Sequence, residues 1–105
     1  MKMNERRTPV EEMLYEQRAE LLKALAHPLR LQIVRGLLRC GCRNVGCMEA
    51  GTGRSQSCIS QHLAKLKAAG IVKAERAGNE VYYEIADRRV AVLMDALFGD
   101  GEEES

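Results

Sequence analysis

The spacing of apolar residues predicts that the chain opens with two helices. In the segment "TPVEEMLYEQRAELLKALAH", Thr8 and Glu11 form the pattern of a capping box, and Pro9 suits the first helical turn. A second helix, "HPLRLQIVRGLLR", starts at Pro28. The apolar positions that recur every three or four residues, and so predict one buried face on each helix, are Leu14, Leu21, Leu22 and Leu25 in the first and Leu29, Ile33, Val34, Leu37 and Leu38 in the second.

The same spacing of apolar residues predicts two further helices. The segment "SQSCISQHLAKLKAAG" has Ser55 as its N-cap and Gly70 as its C-terminal stop, and Asp87 caps the last helix, "DRRVAVLMDALF". The positions that predict their buried faces are Ile59, Leu63 and Leu66 in the third helix and Val90, Leu93, Met94, Leu97 and Phe98 in the last.

The pattern is interrupted before the third helix and changes period after it. The segment "IVKAERAGNEVYYEI" alternates around Gly78–Asn79, a two-residue turn pair, and predicts a β-hairpin. Between the second and third helices the chain is expected to form a short helix at best, because four glycines interrupt it, at Gly41, Gly46, Gly51 and Gly53.

This order of elements predicts a mainly α-helical fold with a β-hairpin wing, that is, a winged helix-turn-helix. The short helix and the third clear helix would form the helix-turn-helix, and the hairpin would form the wing. An apolar helix at each end is more than one small core can cover, so the spare faces predict a homodimer. The domain would span residues 9–98, between a flexible N-terminus at residues 1–8 and an acidic disordered tail at residues 99–105.

Composition limits the class of protein. The chain has 105 residues, of which 46% are hydrophobic and 30% are charged, enough for one globular domain. It has no apolar run of membrane-spanning length, and no apolar stretch follows the charges in "MKMNERRTPVEEM". We therefore expect a cytoplasmic protein without a membrane partner. In that compartment, clustered cysteines bind metals or react rather than form a disulfide scaffold.

The net charge of +1 hides an uneven distribution of charged residues. Residues 40–79 hold six Lys or Arg against two Asp or Glu, whereas residues 80–105 hold two against eight. A basic middle suggests a polyanionic partner. A solvated surface followed by an acidic tail would give the same counts, so charge alone does not select between the two.

The third helix carries the side chains that binding in a DNA major groove requires. Its outer face is small, polar and free of acid, and Gln61 can form two hydrogen bonds with adenine. Arg54, just before the helix, and Lys73 and Arg76, in the wing, can contact phosphates. The residues predicted to contact double-stranded DNA are Arg54, Ser55, Gln56, Ser57, Ser60, Gln61, His62, Lys65, Lys73 and Arg76.

Neither a metal-ligand role for His62 nor an enzyme active site is expected. His62 should contact a phosphate or pack against the core, because no other His or acid lies at ligand spacing on its helix. The chain has two histidines and no set of nucleophile and base that the helices would bring together. Gly51, Gly53 and Arg54 resemble a phosphate-binding loop, but no predicted strand precedes them.

The segments "LLKALAHPLRLQIVRGLL", "SQSCISQHLAKLKAAGIV" and "ERAGNEVYYEI" resemble the ArsR/SmtB family of winged-helix repressors, over roughly residues 18–98. The resemblance implies a homodimer joined through its first and last helices. It also implies a recognition helix at about residues 55–68 that binds an inverted-repeat operator, with two such helices about 34 Å apart in the dimer. Repression would end when an inducer binds or modifies the protein.

The cysteines are the candidate inducer site. Cys40, Cys42 and Cys47 lie within eight positions of one another, and Cys58 lies on the third helix. Three thiolates suit As(III) or Sb(III), and soft metal ions such as Cd(II) are an alternative. Tetrahedral Zn(II) would require Cys58 as a fourth ligand. No cofactor is expected to be required for folding.

The sensor sites that the resemblance implies match this sequence only in part. The zinc type uses His and carboxylates on the last helix, which here has Asp87 and Asp95 but no His. The arsenic type uses two cysteines, and alignment on "SQHL" places Asn44 and Gly46 at those positions. The three clustered cysteines lie just beside that place.

Three other roles for the cysteines stay open. Neighbouring arginines favour the thiolate form, so a redox or persulfide switch could join Cys42 or Cys47 to Cys58. The cysteines could instead fill space in a DNA-binding dimer that has no ligand. All four could also hold a structural zinc in a protein-interaction module, which a chelator would unfold.

Overall fold

The computed structural model describes residues 8–99, and the predicted flexible N-terminus and acidic tail lie largely outside that range. The described elements, in chain order, are α1 (Pro9–Leu25), α2 (Pro28–Cys40), β1 (Cys42–Asn44), α3 (Val45–Thr52), α4 (Gln56–Ala68), β2 (Val72–Ala77), β3 (Glu80–Ile85) and α5 (Arg88–Phe98).

The helix starts follow from local side-chain chemistry. Thr8 and Glu11 form the predicted capping box at α1: the Glu11 amide donates to Thr8 Oγ1 and the Thr8 amide to Glu11 Oε1, both at 3.0 Å. Ser55 and Asp87 cap α4 and α5, as predicted. These bonds satisfy amides at each helix start that have no partner within the helix.

The sheet contains the predicted hairpin and one strand that the sequence did not predict. Strands β2 and β3 pair antiparallel around Gly78–Asn79, with Gly78 at φ +67°. The three residues Cys42–Asn44 form β1, which pairs antiparallel with the other edge of β3. The segment for which a short helix at best was expected thus also contains a strand. A three-residue strand is too short to produce a readable alternation of apolar and polar residues.

One core joins the helices to the sheet, and α4 contributes its whole predicted buried face. Ile59 and Leu66 are fully buried and Leu63 is 1% exposed. The other core residues include Leu29, Ile33, Val34 and Leu37 from α2, Met48 from α3, Ile71 and Val72 at the start of the hairpin, and Val90 and Met94 from α5. Because α4 is fixed by this face, its opposite face has a defined orientation.

The end helices extend beyond the core of the single chain. Helix α1 buries only Leu21, Ala24 and Leu25, and every residue from 8 to 20 is exposed. Leu14 and Leu22 of α1, predicted as part of the buried stripe, are 41% and 55% exposed. Leu97 and Phe98, predicted on the buried face of α5, are likewise 66% and 40% exposed. The apolar surface that α1 and α5 leave open consists of Val10, Met13, Leu14, Tyr15, Leu22, Val92, Leu97 and Phe98.

Helices α3 and α4, with Gly53 in the turn between them at φ +74°, form a helix-turn-helix, and β2 and β3 form the wing. The predicted fold class, a winged helix-turn-helix, is confirmed. Among the residues that the structure describes, no helix combines the length and apolar character needed to cross a bilayer.

Candidate functional site

The open face of α4 is exposed and polar. Ser55 caps α4, and its Oγ accepts a hydrogen bond from the Cys58 amide at 3.2 Å. The exposed side chains on the outer face make no hydrogen bond or ion pair with the described part of the chain; they are Gln56, Ser57, Ser60, Gln61 and Lys65. Helix α4 contains no acidic residue. Such a face can donate to and accept from base edges without repelling phosphate.

The turn before α4 is held by local hydrogen bonds that fix the position of Arg54. Thr52 Oγ1 donates to the Met48 carbonyl at 2.7 Å and accepts from the Arg54 amide at 3.2 Å. The Arg54 side chain is exposed and precedes the N-terminus of α4. A cation there and the partial positive charge of the helix start would both attract a phosphate.

The two predicted wing cations differ in their surroundings. Lys73 on β2 pairs with Glu84 on β3, with Nζ and Oε2 at 3.6 Å, so its charge is partly compensated. Arg76 lies two residues before the hairpin turn, is exposed, and has no carboxylate partner among the described residues. Arg76 is therefore the stronger of the two candidates for a backbone phosphate.

His62 lies at the border between α4 and the start of α2. Its Nδ1 accepts a hydrogen bond from Arg30 Nε at 3.1 Å, and its ring centroid lies 4.4 Å from that of His27. Burial lowers the pKa of His62, and the positive charges of His27, Arg30, Lys65 and Arg54 lower it further. At neutral pH His62 is thus a neutral packing partner of α2, and the DNA contact predicted for it stays a prediction.

The cysteines lie around the start of α3. Cys40 ends α2 and is exposed, Cys42 begins β1, and Cys47 lies in the first turn of α3 and is exposed. Cys58 lies on α4, half-buried against the core. The space-filling role therefore fits Cys58 but not Cys40 or Cys47.

The described side chains do not form a ready-made metal site. No group of three His, Cys, Asp or Glu side chains within the described set is arranged to hold a metal ion. The Cys42 side chain is not part of that set. The described thiols alone thus do not fit a structural zinc, and any inducer that joins several thiolates would have to draw them together.

Three side chains that organise this region were not anticipated from the sequence. Asn44 caps α3, with Oδ1 accepting from the Cys47 amide at 2.8 Å, and its Nδ2 donates to Glu80 Oε1 at 3.0 Å. Arg43 donates to the Cys47 carbonyl at 3.2 Å, and Arg30 donates to His62. An Asn just before a short helix is a known capping signal, so Asn44 could have been found. Arg30 and His62 lie far apart in sequence, and so do Asn44 and Glu80, so no local pattern predicted either contact.

Comparison with known proteins places this geometry among bacterial regulators. Residues 27–74 match the model of the family described as "Bacterial regulatory protein, arsR family". The chain is 43% identical over 88 residues to the HTH-type transcriptional repressor SmtB of Mycobacterium tuberculosis, and the match covers 80% of this chain and 62% of that protein. The chain thus spans about three fifths of that relative. It is also 39% identical over 88 residues to the transcriptional repressor PagR of Bacillus anthracis, covering 84% of this chain and 88% of PagR.

Solved structures show the same fold. The crystal structure of PagR matches with a TM-score of 0.77 at 38% identity, over 82% of this chain and 98% of that one. The solution structure of a homodimeric winged helix-turn-helix DNA-binding domain from Mycobacterium bovis also has a TM-score of 0.77, at 31% identity, over 96% of this chain and 100% of that one.

Proposed function

The chain belongs to the ArsR family of bacterial regulatory proteins, and we propose that it is a homodimeric repressor that places α4 in the major groove of an inverted-repeat operator. Membership in this family makes the chain a regulator and not an enzyme, as predicted.

The observation that carries the proposal is the contrast between the two faces of α4. One face is held in the core through Ile59, Leu63 and Leu66, and the other is exposed, polar and free of acid. A major-groove helix needs this combination, because its position must be rigid while its side chains stay free to meet base edges. Arg54 and Arg76 would add backbone phosphate contacts on either side of the groove.

The exposed apolar residues of α1 and α5 support a homodimer. Residues 9–20 of α1 are all exposed in the single chain, although Val10, Met13 and Leu14 are apolar. A second copy would cover them together with Val92 and Leu97 of α5. A two-fold dimer would present two copies of α4 about 34 Å apart, which matches half-sites one DNA turn apart.

For the inducer, we infer a thiol-directed agent that acts on the cysteines around the start of α3, with As(III) or Sb(III) as the first candidates and Cd(II) or Zn(II) as alternatives. Helix α3 directly precedes the turn into α4, so moving its first turn would alter the fit of α4 to DNA. Cys47 lies in that first turn, and Cys40 is exposed nearby in sequence. A coupling of about 1–3 kcal/mol would weaken operator binding roughly 5- to 150-fold.

A redox or persulfide switch is the second candidate for the same thiols. The exposure of Cys40 and Cys47 favours it, because thiol oxidation requires access to the oxidant. It differs from the metal or metalloid mechanism in needing only two sulfurs. A structural-zinc interaction module lacks support, because the described His, Cys, Asp and Glu side chains form no cluster that could hold the metal.

The experiment is a fluorescence-anisotropy titration of the reduced, metal-free protein onto labelled DNA from its own promoter. The titration is repeated with As(III), Sb(III), Zn(II), Cd(II) and a persulfide donor. We expect tight binding by the unliganded protein and release by one of these agents. Folded protein that shows no preference for promoter DNA over random DNA would contradict the proposal.

Cysteine variants then separate the candidate mechanisms. Cys47→Ser should bind the operator as the unchanged protein does but should no longer respond to the inducer. Cys58→Ser is the matched variant: a three-thiolate site survives it, whereas a four-thiolate zinc site or a switch joined to Cys58 does not. Weak DNA binding by unliganded Cys47→Ser would contradict a purely sensory role.

A further inference from the structure

Three arginines converge on one groove between α2, α3 and the end of α5. Arg35 and Arg39 lie one turn apart on α2, and Arg43 reaches in from β1. The groove has a cavity volume of about 460 Å³, within the range of small-molecule sites. We call it the arginine groove.

The positive charge in the arginine groove is not compensated within the described chain. No Asp or Glu lines the groove, and none of the three arginines forms an ion pair with a described carboxylate. The Arg35 guanidinium lies over the Phe98 ring, 4.3 Å from its centroid, and Arg43 donates to the Cys47 carbonyl at 3.2 Å. Arg39 is exposed and has no described partner. Three uncompensated cations in one concavity create a field that attracts anions.

Two glycines admit the Arg43 guanidinium to the groove. A Cβ at Gly36 would lie 3.0 Å from Arg43 Nη1, and one at Gly51 would lie 3.4 Å from Nη2. Larger side chains on α2 and α3 would displace the guanidinium from this position. The glycines therefore leave room for a guanidinium that faces a cavity, with no carboxylate of residues 8–99 paired to it.

Apart from the arginines, Gln32 and Thr52, the side chains of the groove wall are apolar. Leu31 from α2, Met48 from α3 and Phe98 from α5 line it beside the arginines. An inorganic anion would use only the guanidinium groups, whereas a ligand with an apolar body would also cover these side chains. The combination resembles the general design of ligand sites, in which an apolar lining is joined by a few convergent polar groups.

We propose that the arginine groove is an effector site for a small organic anion, one with a carboxylate or phosphate-ester head and an apolar body. The head would bind the guanidinium groups of Arg39 and Arg43, which offer paired donors that match the geometry of either oxyanion. The body would lie against Phe98 and Met48.

Occupancy of the groove would act on α3, a consequence that rests on the proposed function. Arg43 holds the first turn of α3 through the Cys47 carbonyl. An oxyanion that takes over the Nη2 N–H of Arg43 would remove this tie between β1 and the first turn of α3, and α3 would then be freer to shift. Because α3 leads directly into α4, the anion would lower the affinity for operator DNA.

The test is isothermal titration calorimetry on the full chain with four probes: phenyl phosphate, phenylacetate, inorganic phosphate and benzyl alcohol. We expect the two organic anions to bind, and inorganic phosphate and benzyl alcohol to bind at least about tenfold more weakly. Binding of inorganic phosphate as tight as that of phenyl phosphate would overturn the organic-anion proposal. So would an absence of binding by both organic anions, as expected if a second copy of the chain fills the groove.

Two matched variants locate the site. Arg39→Gln removes a cation with no described partner, so the fold should be retained, and binding of both organic anions should weaken about tenfold. Arg88→Gln is the control, since Arg88 is also exposed but lies at the opposite end of α5 from Phe98, about 15 Å away along the helix. Equal weakening in both variants, or none in Arg39→Gln, would overturn the assignment.

Operator binding separates this inference from the proposed function. Saturating phenyl phosphate should lower the promoter affinity of the unchanged protein severalfold but leave that of Arg39→Gln nearly constant. If the protein binds its promoter and the organic anions do not bind the groove, only the anion site fails. If the anions bind but the protein does not recognise its promoter, the proposed function fails and the site stands.

Discussion

Arg30 Nε donates a hydrogen bond to His62 Nδ1 at 3.1 Å and joins α2 to α4 across 32 positions of sequence. The Nη1 atom of Arg30 also donates to the Ala24 carbonyl in the last turn of α1, at 3.0 Å. One guanidinium therefore links the end of α1 to α4, the helix proposed to read DNA. The histidine can accept this bond only while Nδ1 carries no proton, because a protonated imidazole has two donors and no acceptor.

This bond predicts that stability falls in mild acid. The pKa of His62 is lowered from its ordinary value of 6.5, chiefly by burial and then by the charges of His27 and Arg30. The unfolded chain therefore binds a proton at a higher pH than the folded chain does. The stabilisation is fully present above pH 6.5 and is lost as the pH falls toward the lowered pKa. Urea unfolding at pH 7.5 and pH 5.5 should give a smaller free energy of unfolding at pH 5.5.

The variant His62→Asn is the control for that measurement. Its side-chain oxygen can accept a hydrogen bond near the position of Nδ1, but it does not titrate. The difference in unfolding free energy between pH 7.5 and pH 5.5 should shrink in this variant. If the two proteins show the same difference, other groups are responsible and the role of His62 is disproved.

A second prediction concerns Asn44, which joins three elements through one side chain. Its Oδ1 caps α3 at the Cys47 amide and its Nδ2 donates to Glu80 on β3. Asn44→Ala should lower the free energy of unfolding by about 1 kcal/mol from the lost cap alone. Asn44→Asp should retain the cap but face the Glu80 carboxylate, and so should also be destabilised at neutral pH. Urea titrations at pH 7.5 measure both losses.

Glu80→Gln provides the matched partner for Asn44→Asp. The double variant removes the repulsion between the two carboxylates while it keeps a capping oxygen at residue 44. We expect it to be more stable than Asn44→Asp alone. If the double variant is no more stable, the Asn44–Glu80 contact does not couple the wing to α3.

The elements that the sequence predicted correctly are those that depend on near neighbours. The capping box at Thr8, the Ser55 and Asp87 caps and the Gly78–Asn79 turn each depend on residues two or three positions apart. The buried face of α4 follows from a strong 3.6-residue period. In these cases the local preference agrees with the final fold, so the pattern alone is sufficient.

The features that were not predicted from the sequence depend on contacts between residues far apart in the chain. Strand β1 exists because β3 offers a free edge, and Asn44 meets Glu80 across 36 positions. The arginine groove combines α2, β1 and the end of α5, and no spacing rule connects those segments. For the cysteines, the proposed inducer role stays a prediction, and only the fold separates the exposed Cys40 and Cys47 from the half-buried Cys58.

A third prediction separates the two faces of α4. Gln61 is exposed and makes no hydrogen bond to the described part of the chain, so Gln61→Ala should change the unfolding free energy by no more than about 0.5 kcal/mol. It should nevertheless weaken operator binding by about 1–3 kcal/mol if Gln61 reads a base. Fluorescence anisotropy with operator and random DNA measures the effect, and only the operator affinity should fall.

Leu63→Ala, on the buried face of the same helix, should instead lower the stability of the fold. Leu63 is 1% exposed, and its truncation should cost about 2–5 kcal/mol of stability.

One outcome would contradict the role given to Gln61. If Gln61→Ala weakens binding to random DNA as much as binding to operator, the Gln61 side chain contacts the DNA backbone and does not read the base sequence.

A fourth prediction concerns the order in which the thiols react. Cys40 and Cys47 are exposed, whereas Cys58 is half-buried against the core, so a maleimide should reach the first two without any opening of the fold. Brief treatment of the reduced protein with N-ethylmaleimide, followed by proteolysis and mass spectrometry, should show Cys58 modified severalfold more slowly than Cys40 or Cys47. In concentrated urea the difference between the rates should shrink, since unfolding removes the burial of Cys58. Modification of Cys58 at the rate of Cys47 in the folded protein would mean that α4 opens readily, and its proposed rigid presentation to DNA would then be wrong.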